Sequence, residues 1–360
     1  LSLAISLSCF HNTDNLHEDF VTFVISTHAF LHYDISRLSC ILESESEEIN
    51  MIIKINNLVK RYKDVIALDH FHMEVEEGEI IGLLGPNGSG KTTAINCMLS
   101  LLKYDKGEIQ LFDKPMHPDA IESKRMIGIV PQEVAVFYEL TVYENIDYFC
   151  GLYVKDKARR KQLVEEAIDF VSLQDFRKFR PGKLSGGLLR RLNIACGIAH
   201  QPKLIFMDEP TVAVDPQSRN SILEGIRKLN DAGATIIYTS HYMEEVEEIC
   251  SRIIIMDKGR VIAEGSNEQL KASITLKERI DIEQIELNEQ QLSEIKEIAN
   301  VFAVQYNAHN LQVKFMEGKH NLMNLLDYLS GHEISFGKVY SQLPTLNDVF
   351  LEITGKQLRD

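Results

Sequence analysis

The sequence predicts an α/β protein with a mainly parallel sheet, followed by a small α+β domain of ferredoxin-like order. Three observations lead to this prediction. The short apolar run Glu79–Gly85 enters a glycine-rich loop that is followed by a predicted helix at Thr92–Leu102. Apolar runs then alternate with helical segments as far as about residue 270, as in parallel sheets. Beyond that point, three segments look like half-buried strands, namely Arg279–Leu287, Leu311–Met316 and Ile334–Ser341. With the amphipathic helices Asn288–Ala299 and Lys319–Ser330, they suggest a β-α-β-β-α-β unit.

The glycine-rich loop fits the pattern G-x-x-x-x-G-K-[ST] and predicts a P-loop NTPase that binds ATP and Mg²⁺. Its glycines let consecutive N–H groups and the positive helix end face an anion. Lys91 is placed to neutralise the β- and γ-phosphates, and the Thr92 hydroxyl to ligate magnesium. A glycine turn with a surface lysine is the weaker alternative, because strand and helix flank the loop. The predicted ATP-binding residues here are Gly85, Pro86, Asn87, Gly88, Ser89, Gly90, Lys91, Thr92 and Thr93.

A second apolar run, Leu204–Pro210, predicts a buried strand that ends in two carboxylates. Asp208 is predicted to hold magnesium through water, and Glu209 to polarise the attacking water. Adjacent carboxylates at a strand end are, on their own, more often a solvated terminus. The apolar run before them and the phosphate loop elsewhere favour the catalytic interpretation.

With LSGG at 184–187 just before this strand, the chain resembles the ATP-binding subunit of ABC transporters from about Ile52 to its C-terminus. The resemblance implies that Ser185 and Gly187 bind the γ-phosphate held by a second subunit, aided by the following helix N-terminus. The signature residues that contact ATP in this way are Leu184, Ser185, Gly186 and Gly187. The family's commonest fifth residue is glutamine, and Leu188 here lacks that side-chain amide.

The resemblance assigns roles to four further positions. Tyr62 would stack on adenine, and Gln132 would contact magnesium and sense the membrane partner. His241 would contact the γ-phosphate and orient Glu209 and water, so that the catalytic residues are Lys91, Gln132, Glu209 and His241. Asp215 occupies the position at which the family has an acidic residue that crosses the dimer interface. Residues 212–214 depart from the family's usual serine-containing pattern. The structural alternatives are a strand-edge aromatic for Tyr62 and a packing role for His241.

Three regions are predicted along the chain. Residues 51–270 form the ATPase cassette, with a helical insert at about 133–199, and residues 271–360 form the accessory domain. Residues 1–50 show no persistent period and do not resemble a signal peptide. We interpret them as a non-native or disordered extension, translated from an over-extended start upstream of Met51.

The ending PTLNDVFLEITGKQLRD resembles the tail of drug-export-type ABC subunits, the group that includes daunorubicin-resistance ATPases. In it, Thr345 suits a helix N-cap and Gly355 a helix stop. This domain either regulates or stabilises a dimer, or is a packing appendage.

Composition limits the function classes. The chain has 360 residues and a net charge of −15, which argues against nucleic-acid binding. Six scattered cysteines without C-x-x-C spacing suggest reduced thiols. No run of 18 apolar residues occurs, so the chain is not expected to span a bilayer itself. The resemblance implies a separate hydrophobic transmembrane permease, with this chain at the cytoplasmic membrane face.

The resemblance implies a head-to-tail dimer, homo- or heterodimeric, with two composite ATP sites. ATP would close this dimer and hydrolysis would open it, which drives export of a drug, antibiotic or lipid-like substrate. Two alternatives are a soluble ABC ATPase acting on ribosomes or DNA, and a nucleotide-gated switch without turnover. The single cassette and acidic balance disfavour the first, and the presence of Glu209 and His241 disfavours the second.

Overall fold

The computed structural model describes residues 50–212, 214–240 and 242–355. The predicted extension at residues 1–50 lies outside this part except for Asn50, and His241 lies outside it as well. The strands are β1 (Met51–Tyr62), β2 (Val65–Glu76), β3 (Ile80–Leu84), β4 (Lys106–Leu111), β5 (Lys114–Pro115), β6 (Ile127–Val130), β7 (Leu204–Asp208), β8 (Thr235–Thr239), β9 (Arg252–Asp257), β10 (Arg260–Gly265), β11 (Glu278–Ile282), β12 (Val301–Asn307), β13 (Asn310–Phe315) and β14 (Val339–Gln342). The helices are α1 (Lys91–Met98), α2 (Ile121–Arg125), α3 (Val142–Gly151), α4 (Lys157–Phe170), α5 (Gly186–Ile198), α6 (Pro216–Asp231), α7 (Met243–Ile249), α8 (Asn267–Ser273), α9 (Glu289–Lys296), α10 (Asn321–Gly331) and α11 (Leu346–Thr354).

The central sheet has the order β10-β9-β3-β8-β7-β6 and is parallel except for the β9–β10 hairpin. Alternate residues of its strands enter two different cores, so that Met207 lies in one and Phe206 in the other. A sheet covered on both faces needs continuous apolar strands, and all five residues of β3 are buried. The predicted mainly parallel α/β sheet is confirmed.

A second, antiparallel sheet of order β2-β1-β4-β5 covers one side of the cassette. Between β6 and β7 lies the insert, which contains α3, α4, two short 3₁₀ turns and α5. The insert carries a stripe of apolar residues that is buried in the core, as its 3.6-residue period requires. Its members are Leu163, Val164, Ala167, Ile168 and Val171.

The C-terminal segment has the element order β11-α9-β12-β13-α10-β14 and an antiparallel sheet of order β12-β13-β11-β14. This order is the predicted β-α-β-β-α-β. Several predicted boundaries were wrong. Strand β11 ends at Ile282 rather than 287, because Gln284 turns the chain with a φ of 54°. The last strand begins at Val339 rather than 334, and β12, a half-buried edge strand, had no predicted segment.

Helix α11 leaves this domain and packs back on the cassette. Thr345 and Asp348 form a capping box at its start, and Gly355 ends it with a φ of 68°, both as predicted. Its buried residues Val349 and Phe350 belong to the same core cluster as Val246 of α7. The Leu346 N–H also donates to Glu247 of α7 at 2.6 Å.

Two further sequence predictions concern the whole chain. Among the described helices, none combines the length and apolar character that crossing a lipid bilayer requires. The four cysteines in the described ranges, Cys97, Cys150, Cys196 and Cys250, are free thiols. The other two, Cys9 and Cys40, lie outside those ranges.

Candidate active site

The phosphate loop connects β3 to α1 at the carboxyl end of the parallel sheet. Close packing explains two of its glycines. A Cβ at Gly85 would lie 2.4 Å from the Met256 carbonyl oxygen, and one at Gly90 would lie 2.5 Å from the Ala67 carbonyl oxygen. Gly90 also has a φ of 109°, which residues with a side chain rarely adopt. The loop backbone is therefore held tightly at the place where the sequence predicts that its N–H groups face an anion.

Lys91 begins α1 and is buried, with 8% of its surface exposed. Its ammonium donates to the carbonyl oxygens of Gly85 at 2.7 Å and Pro86 at 3.3 Å. Burial lowers the pKa of Lys91, whereas the negative charges of Glu209 and Asp208 oppose that effect. A buried cation at a helix start, close to two carboxylates, matches the requirements of a phosphate-binding lysine.

Helix α1 is shorter than the predicted segment, which runs to Leu102. It ends at Met98 because Ser100 takes a left-handed φ of 52°. The N–H groups of Ser100 and Leu101 then bond back to the carbonyls of Cys97 and Asn96, which satisfies the helix end.

The paired carboxylates follow β7, and β8 separates that strand from β3. Thr239 of β8 holds both residues of the pair. Its hydroxyl donates to Asp208 Oδ1 at 2.5 Å, and the Glu209 N–H contacts that hydroxyl at 3.0 Å and the Thr239 carbonyl at 3.1 Å. Glu209 is buried and has a φ of 48°, so its position depends on these backbone contacts.

Gln132 reaches the same carboxylate from the end of β6. Its Nε2 donates to Glu209 Oε2 at 2.8 Å. The structure thus brings Lys91, Gln132, Asp208 and Glu209 together, four residues that the sequence assigns to one site. Their chemical roles stay predictions.

Arg190 of α5 is a residue of this site that sequence reasoning missed. It is buried and donates to the carbonyl oxygens of Pro131 at 3.0 Å, Gln132 at 2.7 Å and Glu209 at 2.8 Å. Burial lowers the pKa of Arg190, and the charges of Glu209 and Asp208 oppose that effect. Because one guanidinium ties the Gln132 backbone to the Glu209 backbone, it positions both. The available sequence signal was an arginine five residues after Ser185.

The signature lies at the start of α5. Ser185 caps this helix by accepting from the Leu188 N–H at 3.3 Å, and both Ser185 and Gly186 are exposed. Gly187 packs against the start of α6 of the same chain, where an added Cβ would lie 2.8 Å from Ser218 Oγ and 3.2 Å from Asp215 Oδ2. The exposed helix start can therefore face a second molecule.

Asp215 caps α6, and its Oδ1 accepts from the Ser218 N–H at 2.9 Å. That hydrogen bond lowers the pKa of the exposed Asp215 carboxyl. The residue is thus ionised beside Gly187, at the same surface as the signature. Its predicted crossing to a second subunit stays a prediction.

Tyr62 ends β1 with 47% of its surface exposed, and the Lys60 ammonium lies 5.2 Å from its ring centre. The paired strand β2 borders the phosphate loop at Ala67, next to Gly90. An exposed flat ring on this hairpin is available for stacking. His241, the other residue predicted to contact nucleotide, lies outside the described residues.

The predicted magnesium ligands are Thr92, Gln132 and Asp208. Within the described ranges, no cluster of three or more His, Cys, Asp or Glu side chains forms a metal site. Mg²⁺ often keeps several waters and binds one or two carboxylates together with substrate phosphates. A hydroxyl, an amide oxygen and one carboxylate beside a phosphate loop fit that preference, because all three are oxygen ligands. The Gln132 amide nitrogen is bonded to Glu209, so its oxygen is the atom available to a metal.

A strand, a glycine-rich loop and a lysine-bearing helix, with two carboxylates two strands away, define a P-loop NTPase. The model of the ABC transporter family matches residues 68–212. The linearmycin resistance ATP-binding protein LnrL of Bacillus subtilis is 36% identical over 311 residues, or 86% of this chain and 100% of that protein. The Nod factor export ATP-binding protein I of Cupriavidus metallidurans is 33% identical, over 86% and 99% of the two chains.

Solved structures agree with this assignment. The ATP-binding cassette MJ0796, solved as a dimer in a post-hydrolysis state with ADP and Pi, is 28% identical with a TM-score of 0.55. The match covers 59% of this chain and 98% of that one. CbiO1 from Clostridium perfringens, part of the ABC transporter complex cbiONQ, is 27% identical with a TM-score of 0.58, over 62% and 92% of the two chains. The chain belongs to the ATP-binding subunits of ABC transporters, and it is an ATPase.

Proposed function

We propose that this chain powers an ABC exporter by binding and hydrolysing ATP between two ATP-binding subunits. The observation that carries the ATPase part is the convergence of Lys91, Gln132 and Glu209 on one site. Similarity along the chain to proteins named for linearmycin resistance and Nod factor export supports the export part. A drug, antibiotic or lipid-like compound is the cargo class that this similarity favours.

The chain's own residues would act as follows. Lys91 and the loop N–H groups bind the β- and γ-phosphates and stabilise charge on the transferring phosphoryl group. Glu209, held by Gln132 and by the hydroxyl and carbonyl of Thr239, accepts a proton from the attacking water. Magnesium, held by Thr92, Gln132 and Asp208, would supply further charge neutralisation at the phosphates.

The two-subunit site follows from the placement of the signature. Lys91 is buried, whereas Ser185 and Gly186 expose the first turn of α5. The positive end of a helix favours an anion, and a γ-phosphate on a second copy or a sister ATPase provides one. ATP then joins the subunits, and loss of the γ-phosphate separates them.

A membrane partner is favoured by the surface of the insert. Phe137, Tyr138 and Tyr148 are 42%, 52% and 47% exposed, and the Phe137 and Tyr148 rings lie 4.9 Å apart. Exposed aromatic patches mark protein interaction sites. We place the permease on this patch, with the chain at the cytoplasmic face of the membrane.

The test is co-purification from membranes. A tagged full-length chain, extracted from native membranes in mild detergent, is expected to bring down a hydrophobic multi-span protein. Tyr138→Arg should reduce this recovery strongly, because a charge would enter an apolar contact, while ATP turnover of the purified chain is kept. Tyr340→Arg, at an aromatic of the C-terminal sheet that is 40% exposed, serves as the control. Recovery of ribosomes or DNA, with no multi-span protein, would contradict the proposal.

A further inference from the structure

A buried carboxylate behind the active site accepts hydrogen bonds from three hydroxyl groups in two segments of the chain. Glu245 of α7 is 2% exposed, and its Oε2 accepts from Thr211 Oγ1, Tyr238 OH and Ser240 Oγ, each at 2.7 Å. Buried charges are costly unless they are paired and hydrogen-bonded, so this cluster specifies one local arrangement. Burial and the Glu245 charge raise the pKa of Tyr238 well above its usual value, which keeps that hydroxyl a donor.

Arg219 of α6 provides the opposite charge. Its Nε lies 3.2 Å from Glu245 Oε1 and forms an ion pair with it. The N–H group does not point at that oxygen well enough to form a hydrogen bond. Its guanidinium also lies 4.3 Å from the centre of the Tyr242 ring. The backbone N–H of Arg219 donates at 2.9 Å to the carbonyl of Asp215, the residue that caps α6.

These contacts hold the chain on both sides of position 241. Ser240 donates to Glu245 and accepts from the Tyr242 N–H at 3.0 Å, while Arg219 covers the Tyr242 ring. Thr211, the third hydroxyl partner, stands two residues after Glu209. One ion pair thus touches the segment after Glu209, the flanks of position 241 and the helix that begins at Asp215.

We propose that Glu245 and Arg219 are positioning residues for ATP hydrolysis, which hold these three segments in the geometry that places water and the second subunit. We name the pair the buried clamp. The proposal rests on the function proposed above for Glu209 and on the roles that the sequence predicts for His241 and Asp215. Glu245 and Arg219 act without touching nucleotide, through the segments that they hold.

The test is a double-substitution cycle in the full-length chain with MgATP. Glu245→Gln and Arg219→Gln should each lower kcat about tenfold or more, because small misplacements of catalytic groups cost that much. ATP affinity, measured by fluorescence titration, should stay within about twofold, since Lys91 and the loop are untouched. The double variant should resemble the single variants, because residues that act as a unit are not additive.

The chain offers a matched control between the same two helices. Arg227 of α6 pairs with Glu248 of α7 at 2.9 Å, and both side chains are exposed. Removing that pair should leave kcat within about twofold, as expected for surface ion pairs.

Three outcomes would overturn the clamp: kcat near the unsubstituted value in both single variants, independent additive losses, or kcat losses matched by equal losses of ATP affinity. If Glu245→Gln fails to fold, Arg219→Gln decides, because its side chain is partly exposed at 28%.

Glu209→Gln separates the two proposals. If that variant is inactive while the clamp variants are normal, the clamp alone fails; if Glu209→Gln hydrolyses normally, the proposed site itself fails.

Discussion

Glu209→Gln is expected to lower ATP turnover by about 10²-fold or more, because a positioned general base contributes that much. ATP binding should be kept. The amide oxygen can still accept from Gln132, and the backbone contacts to Thr239 and Arg190 do not involve the replaced atom. The measurement is steady-state phosphate release together with nucleotide titration.

The same variant should accumulate an ATP-bound dimer in sizing experiments, because the γ-phosphate that joins the subunits is no longer removed. Glu139→Gln, an exposed carboxylate in the insert, is the control for loss of one negative charge. Unchanged hydrolysis in Glu209→Gln would remove Glu209 from its proposed role.

Lys91→Ala is expected to weaken ATP binding by about 10–100-fold, the factor that corresponds to losing a charge-assisted hydrogen bond. The substitution also removes the donor to the carbonyls of Gly85 and Pro86 and the cation that faces Asp208 and Glu209. Turnover should fall with binding, because the same ammonium stabilises the transferring phosphoryl group.

Lys103→Ala, an exposed lysine just beyond α1, controls for the change of net charge. Thermal unfolding of both variants checks that the fold is kept. A titration curve for Lys91→Ala equal to that of the unsubstituted chain would contradict the phosphate-loop assignment.

Local patterns predicted the parts of the site that a few adjacent residues specify. The phosphate loop depends on glycine spacing and on a strand and helix beside it, so Lys91 could be located from the sequence. The helix cap at Thr345 could also be located from the sequence, because its partner Asp348 lies only three residues later. The Asp348 side chain accepts from the Thr345 N–H. Apolar periodicity likewise located the buried strands of the central sheet.

Residues that act through tertiary contacts could not be found in this way. Arg190 bonds to Pro131, 59 positions away, and Glu245 bonds to Thr211, 34 positions away. No short pattern encodes such approaches. Edge strand β12 was missed because none of its seven residues is fully buried, which weakens the alternation that indicates a strand.

The central claim is that each ATP site takes its phosphate loop from one subunit and its signature from the other. Mixing two inactive chains, Lys91→Ala and Ser185→Arg, tests it directly. In a mixed dimer, the Lys91 of one chain meets the intact signature of the other, so one site is complete. With random pairing, half of the dimers carry one intact site of two, which predicts recovery of about one quarter of the unsubstituted ATPase activity. No recovery, with mixed dimers present in the sample, would mean that each site is built within one chain.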